Sequence, residues 1–332
     1  QAASGLRLQN YFLFSNSPNF FCIFIFLSLI LLLRADNGGL HLSTEAARQP
    51  DMLDTLRKLR AALRPIYGQR ETEAIILLLF HHLKGWNRVD MIMHETDTLS
   101  PFLRSEIEGI LSRLIHHEPI QYITGEARFH GLDFRVTPDV LIPRPETDEL
   151  VDIICDRAGS IPDLRVLDIA TGSGCIAVAL ARSLNFPKVT ALDISPKALD
   201  VARDNARRLG VTISFIEADI FSWTAPPSSF DIIVSNPPYI DDSEKADMEP
   251  NVLDYEPAAA LFLPDNDPLV FYRCIAAMAS EALSPHGTLY LEINPRHRDS
   301  LAAMLADAGL SDVEILKDSY GKDRFAIARR SA

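Results

Sequence analysis

Asn236-Pro237-Pro238-Tyr239 follows an apolar run, Ile232, Ile233 and Val234 with Phe230 before them, that reads as a buried strand. Pro237 has no N–H, and the Pro-Pro pair holds the backbone extended. The side-chain oxygen of Asn236 and the carbonyl of Pro237 therefore form two hydrogen-bond acceptors on a stiff frame, with the flat face of Tyr239 beside them. Two acceptors and a flat face complement a planar –NH2 group, either a carboxamide or the exocyclic amine of a base. Such a site suits group transfer to a weakly nucleophilic nitrogen and has no use in hydride transfer.

A second constellation lies upstream, where the strand-like RVLDIA (165–170) runs into Thr171-Gly172-Ser173-Gly174. Glycine at 172 and 174 lets the backbone turn sharply and approach a ligand where a β-carbon would intrude. The next strand ends at Asp193, 19 residues beyond Gly174, where a carboxylate can accept both hydroxyls of an adenosine ribose. Gly172-x-Gly174-x-x-Ala177 also satisfies the dinucleotide fingerprint, so these residues alone leave a nicotinamide cofactor open. The competing structural use of Asp193 is as a helix N-cap.

Both constellations need strand ends to hold them. Strands are predicted near 164–168, 188–193, 212–217, 230–235, 286–293, 312–317 and 324–329. Helices are predicted near 146–158, 174–184, 195–209, 267–282 and 297–308. That alternation is the mark of a mostly parallel sheet covered on both faces, whose ligands bind at the carboxyl ends of the strands. Upstream, residues 52–117 read as helical: Leu53, Leu56, Leu59 and Leu63 recur at helical spacing, a Gly-Gln-Arg break follows, and a third helix is predicted from Pro101 to Ile115. Residues 121–137 alternate around Gly125 and Gly131 and are predicted to form a hairpin joining the two parts.

Composition narrows the possibilities. The 332-residue chain carries a net charge of -13, which disfavours a long footprint on a nucleic-acid backbone. Its four cysteines, Cys22, Cys155, Cys175 and Cys274, are scattered without a CxxC, which points to a reducing compartment and away from a disulfide framework or zinc site. The histidine pairs His81-His82 and His116-His117 point apart on a helix, so no metal is expected. Phe20 to Leu33 is apolar but shorter than the ~20 residues a membrane span needs, and it lacks the flanks of a signal peptide. The first methionine is Met52, where the helical pattern starts. Residues 1–51 are accordingly expected to be an extension translated from upstream, with a membrane anchor at 20–33 as the alternative.

Asp-x-x-Thr-Gly-Ser-Gly (168–174), the strand-end acid Asp193 and Asn-Pro-Pro-Tyr (236–239) together resemble class I S-adenosyl-L-methionine (SAM) methyltransferases that modify planar nitrogens, adenine N6 or glutamine N5. Wider stretches resemble the HemK/PrmC family of peptide chain release factor glutamine methyltransferases: EPIQYITGEARFHGLDFRVTPDVLIPRPETDELV (118–151), YEPAAALF (255–262), LEINPRH (291–297) and KDSYGKDRFAIARR (317–330). This resemblance covers nearly all of 52–332. Arg144-Pro145-Glu146-Thr147 resembles the release-factor branch rather than the sister branch that modifies a large-subunit ribosomal protein.

The resemblance implies an α/β, class I SAM-dependent methyltransferase fold: a Rossmann-like, mostly parallel sheet with helices on both faces, and a small N-terminal helical domain joined by a β-hairpin. The implied domains are a non-family extension (1–51), a helical substrate-docking domain (52–120), a hairpin linker (121–137) and the methyltransferase domain (138–332). The implied reaction is direct displacement by the amide nitrogen of the glutamine in the Gly-Gly-Gln motif of class I peptide chain release factors, in support of translation termination. Asn236, Pro237 and Tyr239 would be catalytic, with Pro238 completing the substrate clamp. Ala170, Thr171, Gly172, Ser173 and Gly174 would follow the methionine and ribose of the cofactor, and Asp193 would hold the ribose hydroxyls. Asp219 would accept from the adenine amine, Ile220 would pack on its ring, and Asn236 would also border the cofactor. A cytoplasmic monomer is expected, with no direct nucleic-acid binding and no membrane contact unless 20–33 is an anchor.

Three alternatives stay open: a ribosomal-protein glutamine methyltransferase, a DNA adenine-N6 methyltransferase, and a membrane-tethered protein that keeps SAM as a structural ligand. The chain departs from the family pattern at Ala170 (often Gly), Asp148 (often Glu), His130 (often aromatic) and Asn294-Pro295 (where Gly is usual).

Overall fold

The computed structural model describes residues 51–263 and 267–331; the apolar run at 20–33 lies outside them. The chain forms two compact units that meet in sequence between Leu111 and Ser112.

The first unit is helical. Met52–Lys84 opens on Asp51, whose side chain accepts the N–H of Asp54, and buries Leu56, Leu59 and Leu63. Gly68 breaks the helix with φ 72° and ψ 175°, so the expected interruption falls on one glycine. Across the break Arg60 holds Glu73 in a two-pronged pair of 2.8 and 2.9 Å, and Arg64 adds a bond of 3.1 Å. The hydrogen bond from Arg60 holds the Glu73 carboxyl below its ordinary range. Helix Arg88–Met93 follows, then Pro101–Ile115, which has the predicted bounds and contains the boundary between the units.

In the second unit the predicted hairpin is shorter than expected. Residues 120–124 form a helical turn that Gly125 ends in the left-handed conformation (φ 74°). The apolar spacing of Ile120, Tyr122 and Ile123 fits one helical turn as well as a strand, and tertiary contact decides: buried Tyr122 donates its hydroxyl to the Val140 carbonyl at 2.7 Å. The hairpin proper pairs β1 (Glu126–Phe129) with β2 (Leu132–Arg135). Its two-residue turn has positive φ at both His130 (47°) and Gly131 (73°), the geometry that matches the twist of paired strands.

Seven more strands build the sheet: β3 (Arg165–Ile169), β4 (Lys188–Asp193), β5 (Ile213–Glu217), β6 (Phe230–Ser235), β7 (Leu283–Glu292), β8 (Leu310–Lys317) and β9 (Asp323–Arg330). Their order is β5-β4-β3-β6-β7-β9-β8, parallel from β5 to β7 and antiparallel through β9 and β8. Successive strand residues serve opposite faces. Val166, Val189, Ile232 and Val234 pack with helices Pro145–Ala158 and Cys175–Ser183. Leu167, Ile169, Leu192 and Ile233 pack with helices Val270–Ala282 and Arg298–Asp307. The strands are thus covered on both faces, which is why they read as near-continuous apolar runs. This is the α/β methyltransferase architecture that the resemblance implies. No described helix is long and apolar enough to cross a membrane.

Candidate active site

The chain runs β3, β4, β5 outward on one side, then returns so that β6 lies on the other side of β3. Such a reversal opens a crevice at the carboxyl ends of the strands. Register decides which residues meet there. Ile169 pairs with both Leu192 and Ser235, and Ser235 pairs with Leu291. The next residues along, Asp193, Ala170, Asn236 and Glu292, therefore emerge as one row across four neighbouring strands. The buried Ser235 hydroxyl donates to the Ile169 carbonyl at 2.8 Å and ties β6 to β3 at that edge.

At the glycine turn, Ala170 takes φ 58°, Gly172 φ 54° and Gly174 φ 78°. A β-carbon on Gly174 would come within 3.0 Å of the Ala202 β-carbon, so here glycine serves close packing of the helix Pro196–Arg208. At Gly172 the positive φ alone makes the demand, since a β-carbon would meet nothing within 4 Å. Ala170 holds a left-handed conformation that costs an L-residue about 1–2 kcal/mol. Ala170→Gly is expected to raise unfolding stability by about 0.5–1 kcal/mol, the released strain being partly offset by a freer unfolded chain, as a shift of the urea midpoint at constant slope.

Carboxylates surround this turn. Asp168, fully buried on β3, accepts the Thr171 hydroxyl at 2.6 Å and the Ala177 N–H at 3.2 Å on one oxygen. Its other oxygen is buried without a hydrogen-bond partner among the described residues. Burial pushes its carboxyl up to about 7 against the pull of those two bonds. Asp193 accepts the N–H of Gly172 at 2.9 Å on one oxygen and that of Ser195 at 2.9 Å on the other. The N-cap of helix Pro196–Arg208 is Ser195, not Asp193, so Asp193 is not consumed as a cap. Burial raises its carboxyl, with the two N–H bonds opposing. At the end of β5, Asp219 accepts the Phe221 N–H at 3.0 Å, and buried Ile220 offers its carbonyl to the Cys274 thiol at 3.0 Å.

At the end of β6, Pro237 and Pro238 are buried and Asn236 and Tyr239 half-buried. The Asn236 Nδ2 donates to the Thr147 hydroxyl oxygen at 3.1 Å, and Thr147 donates to Glu292 Oε2 at 2.7 Å. Tyr239 turns its hydroxyl inward, donating to Glu292 Oε1 at 3.0 Å. Burial, then the Glu292 charge, raises the Tyr239 phenol well above its ordinary value, so it stays an O–H donor. The Tyr239 carbonyl accepts from Asn294 Nδ2 at 3.2 Å, which gives the unusual Asn294 a structural use. Arg144 pairs with buried Glu256, whose second oxygen accepts the Ile142 N–H at 3.2 Å.

The sequence-predicted residues thus gather at one edge of the sheet: the turn 170–174 with Asp193, Asp219-Ile220 just past the end of β5, and 236–239 just past the end of β6. Sequence reasoning missed Asp168, Thr147, Glu292 and Glu256 as members of this region. Asp168 and Glu292 each left a signal, because an acid inside an apolar strand, as in RVLDIA or LYLEIN, is buried only at a cost that a partner must offset, whereas Thr147 and Glu256 lie outside the strands and carry no such mark.

Residues 54–125 match the family model described as PrmC N-terminal domain, and residues 166–251 match that of a methyltransferase domain. The release factor glutamine methyltransferase of Bacteroides thetaiotaomicron is 47% identical over 274 residues, covering 82% of this chain and 98% of the relative. That of Flavobacterium psychrophilum is 44% identical over 269 residues, covering 79% and 93%. That of Koribacter versatilis is 35% identical over 275 residues, covering 83% and 95%.

Proposed function

The chain belongs to the release factor glutamine methyltransferase family, and from that premise we propose that it transfers a methyl group from SAM to a glutamine side-chain nitrogen of a class I peptide chain release factor, in the Gly-Gly-Gln motif. The observation that carries this is the row of strand ends: an asparagine amide anchored from behind beside a glycine turn lined with carboxylates.

Asp168 discriminates among adenosyl cofactors. A dinucleotide would bring a pyrophosphate to the glycine turn, which the buried carboxyl of Asp168 backs through Thr171 and Ala177. SAM instead brings a sulfonium and an ammonium, and the Asp168 oxygen that has no hydrogen-bond partner among the described residues is a fitting acceptor for a cationic group. Residues 170–174 would hold its methionine and ribose, Asp193 the ribose hydroxyls, and Asp219 with Ile220 the adenine. When bound, SAM supplies an electrophilic methyl carbon on a positively charged sulfur.

The remaining work belongs to the chain. An amide nitrogen is a poor nucleophile because its lone pair is delocalised into the carbonyl. The Asn236 side-chain oxygen and Pro237 carbonyl would accept its two hydrogens, raising electron density at nitrogen and fixing its direction. Tyr239, locked by Glu292 and Asn294, would pack on the amide plane while Pro238 keeps the frame rigid. Orientation of this kind can contribute roughly 7–11 kcal/mol of barrier lowering. Asn236 is far too weak a base to remove a proton in the transition state, so the proton leaves after transfer.

The helical unit supports a docking role. It exposes Val89 (60%), Met93 (74%) and Phe102 (73%), large apolar side chains suited to protein contact. We assign the chain to the cytoplasm, as a monomer. The net charge of -13 disfavours DNA as substrate. Incubation with tritiated SAM and, separately, release factor, ribosomal protein or DNA tests the proposal. Label is expected on the release-factor glutamine; label on ribosomal protein or DNA alone would overturn it.

A further inference from the structure

The bonds behind Asn236 set its direction by proton count. A hydroxyl has one proton to give. Thr147, which is 3% exposed, spends it on Glu292, which is 1% exposed, so only oxygen lone pairs face Asn236. The end of the Asn236 amide that can meet them is Nδ2, as found at 3.1 Å. Reversed, its oxygen would oppose the Thr147 oxygen, acceptor against acceptor. The second oxygen of Glu292 is held by the Tyr239 hydroxyl at 3.0 Å, so the carboxylate cannot turn away without losing two donors.

We propose that Thr147 and Glu292 are positioning residues that hold the Asn236 amide with its oxygen toward the substrate. The inference rests on the proposed transfer to an amide nitrogen, where direction matters: a reversed Asn236 would aim N–H donors at the –NH2 group it must accept from. Each member arrives through the fold. Glu292 follows Leu291, the partner of Ser235, and so stands beside Asn236. Thr147 is the third residue of the helix Pro145–Ala158, whose start is fixed by proline at its first position and by the Arg144–Glu256 pair beside it. The Arg144-Pro145-Glu146-Thr147 motif is therefore the backing of the clamp, joined to the strand of Asn236 and to that of Glu292.

The test pairs an isosteric variant with a conservative one. Thr147→Val removes the hydroxyl and is expected to lower kcat about 100-fold, with KM for the release factor and Kd for SAM each within about threefold. Thr147→Ser restores the hydroxyl and is expected to keep kcat within about threefold. Wild-type kcat in Thr147→Val, or equal loss in Thr147→Ser, would overturn the proposal. Nuclear magnetic resonance of the wild-type protein labelled with 15N-asparagine gives a readout independent of activity and of any variant's folding. One Asn236 side-chain amide proton should exchange slowly and should lose that protection in Thr147→Val. Rapid exchange of both protons in the wild type would sink the relay. If instead the protection is present but the wild type labels no release factor, the proposed substrate fails and the relay stands.

Discussion

Asn236→Ala is expected to lower methyl transfer by about 10³-fold while Kd for SAM stays within about tenfold. The magnitude follows from removing one preorganised hydrogen-bonding group at a reacting centre, which typically costs about 10²–10³ in rate, together with lost orientation of the amide plane. The fold should survive, because Thr147 keeps its bond to Glu292 and Tyr239 keeps its own after the substitution. Single-turnover transfer to a release factor, beside calorimetry with SAM, separates the two effects. Turnover at the wild-type rate would refute the assignment of Asn236, whatever happened to SAM affinity.

Asp193→Asn is expected to raise Kd for SAM roughly 10- to 100-fold, equivalent to the ~1.5–3 kcal/mol of one hydrogen bond to a charged group. The substitution is nearly isosteric but cannot satisfy the site. Both carboxylate oxygens accept a backbone N–H, one from Gly172 and one from Ser195, so either placement of an asparagine amide sets an N–H2 against an N–H. The glycine turn and the ribose acceptor should fail together. Unchanged SAM affinity by calorimetry would remove Asp193 from the cofactor site.

Much of the fold was legible because its signals are local. The alternation of apolar runs with amphipathic stretches from residue 145 onward fixed strand and helix positions to within a few residues at most ends, since each depends on neighbours in the chain. The short helix at 120–124 was not legible, because one turn offers too few positions to separate a helical from a strand spacing. Ala170 could be noted as a departure, yet its positive φ became visible only with the turn built around it.

The site divides along the same line. The Asn-Pro-Pro-Tyr frame, the glycine turn and the strand-end acid Asp193 could be read from the residues alone, because proline stiffness, glycine freedom and strand termination are properties of adjacent residues. What stands behind Asn236 came from the folded chain. Its partner Thr147 lies 89 residues away, and Thr147 and Glu292 are separated by 145. Those separations close only once β6 crosses to the far side of β3 and β7 pairs with it in one particular register. A shift of one residue in that register would turn Glu292 to the opposite face of the sheet, and because these strands are apolar on both faces no alternation along the chain marks which register is taken.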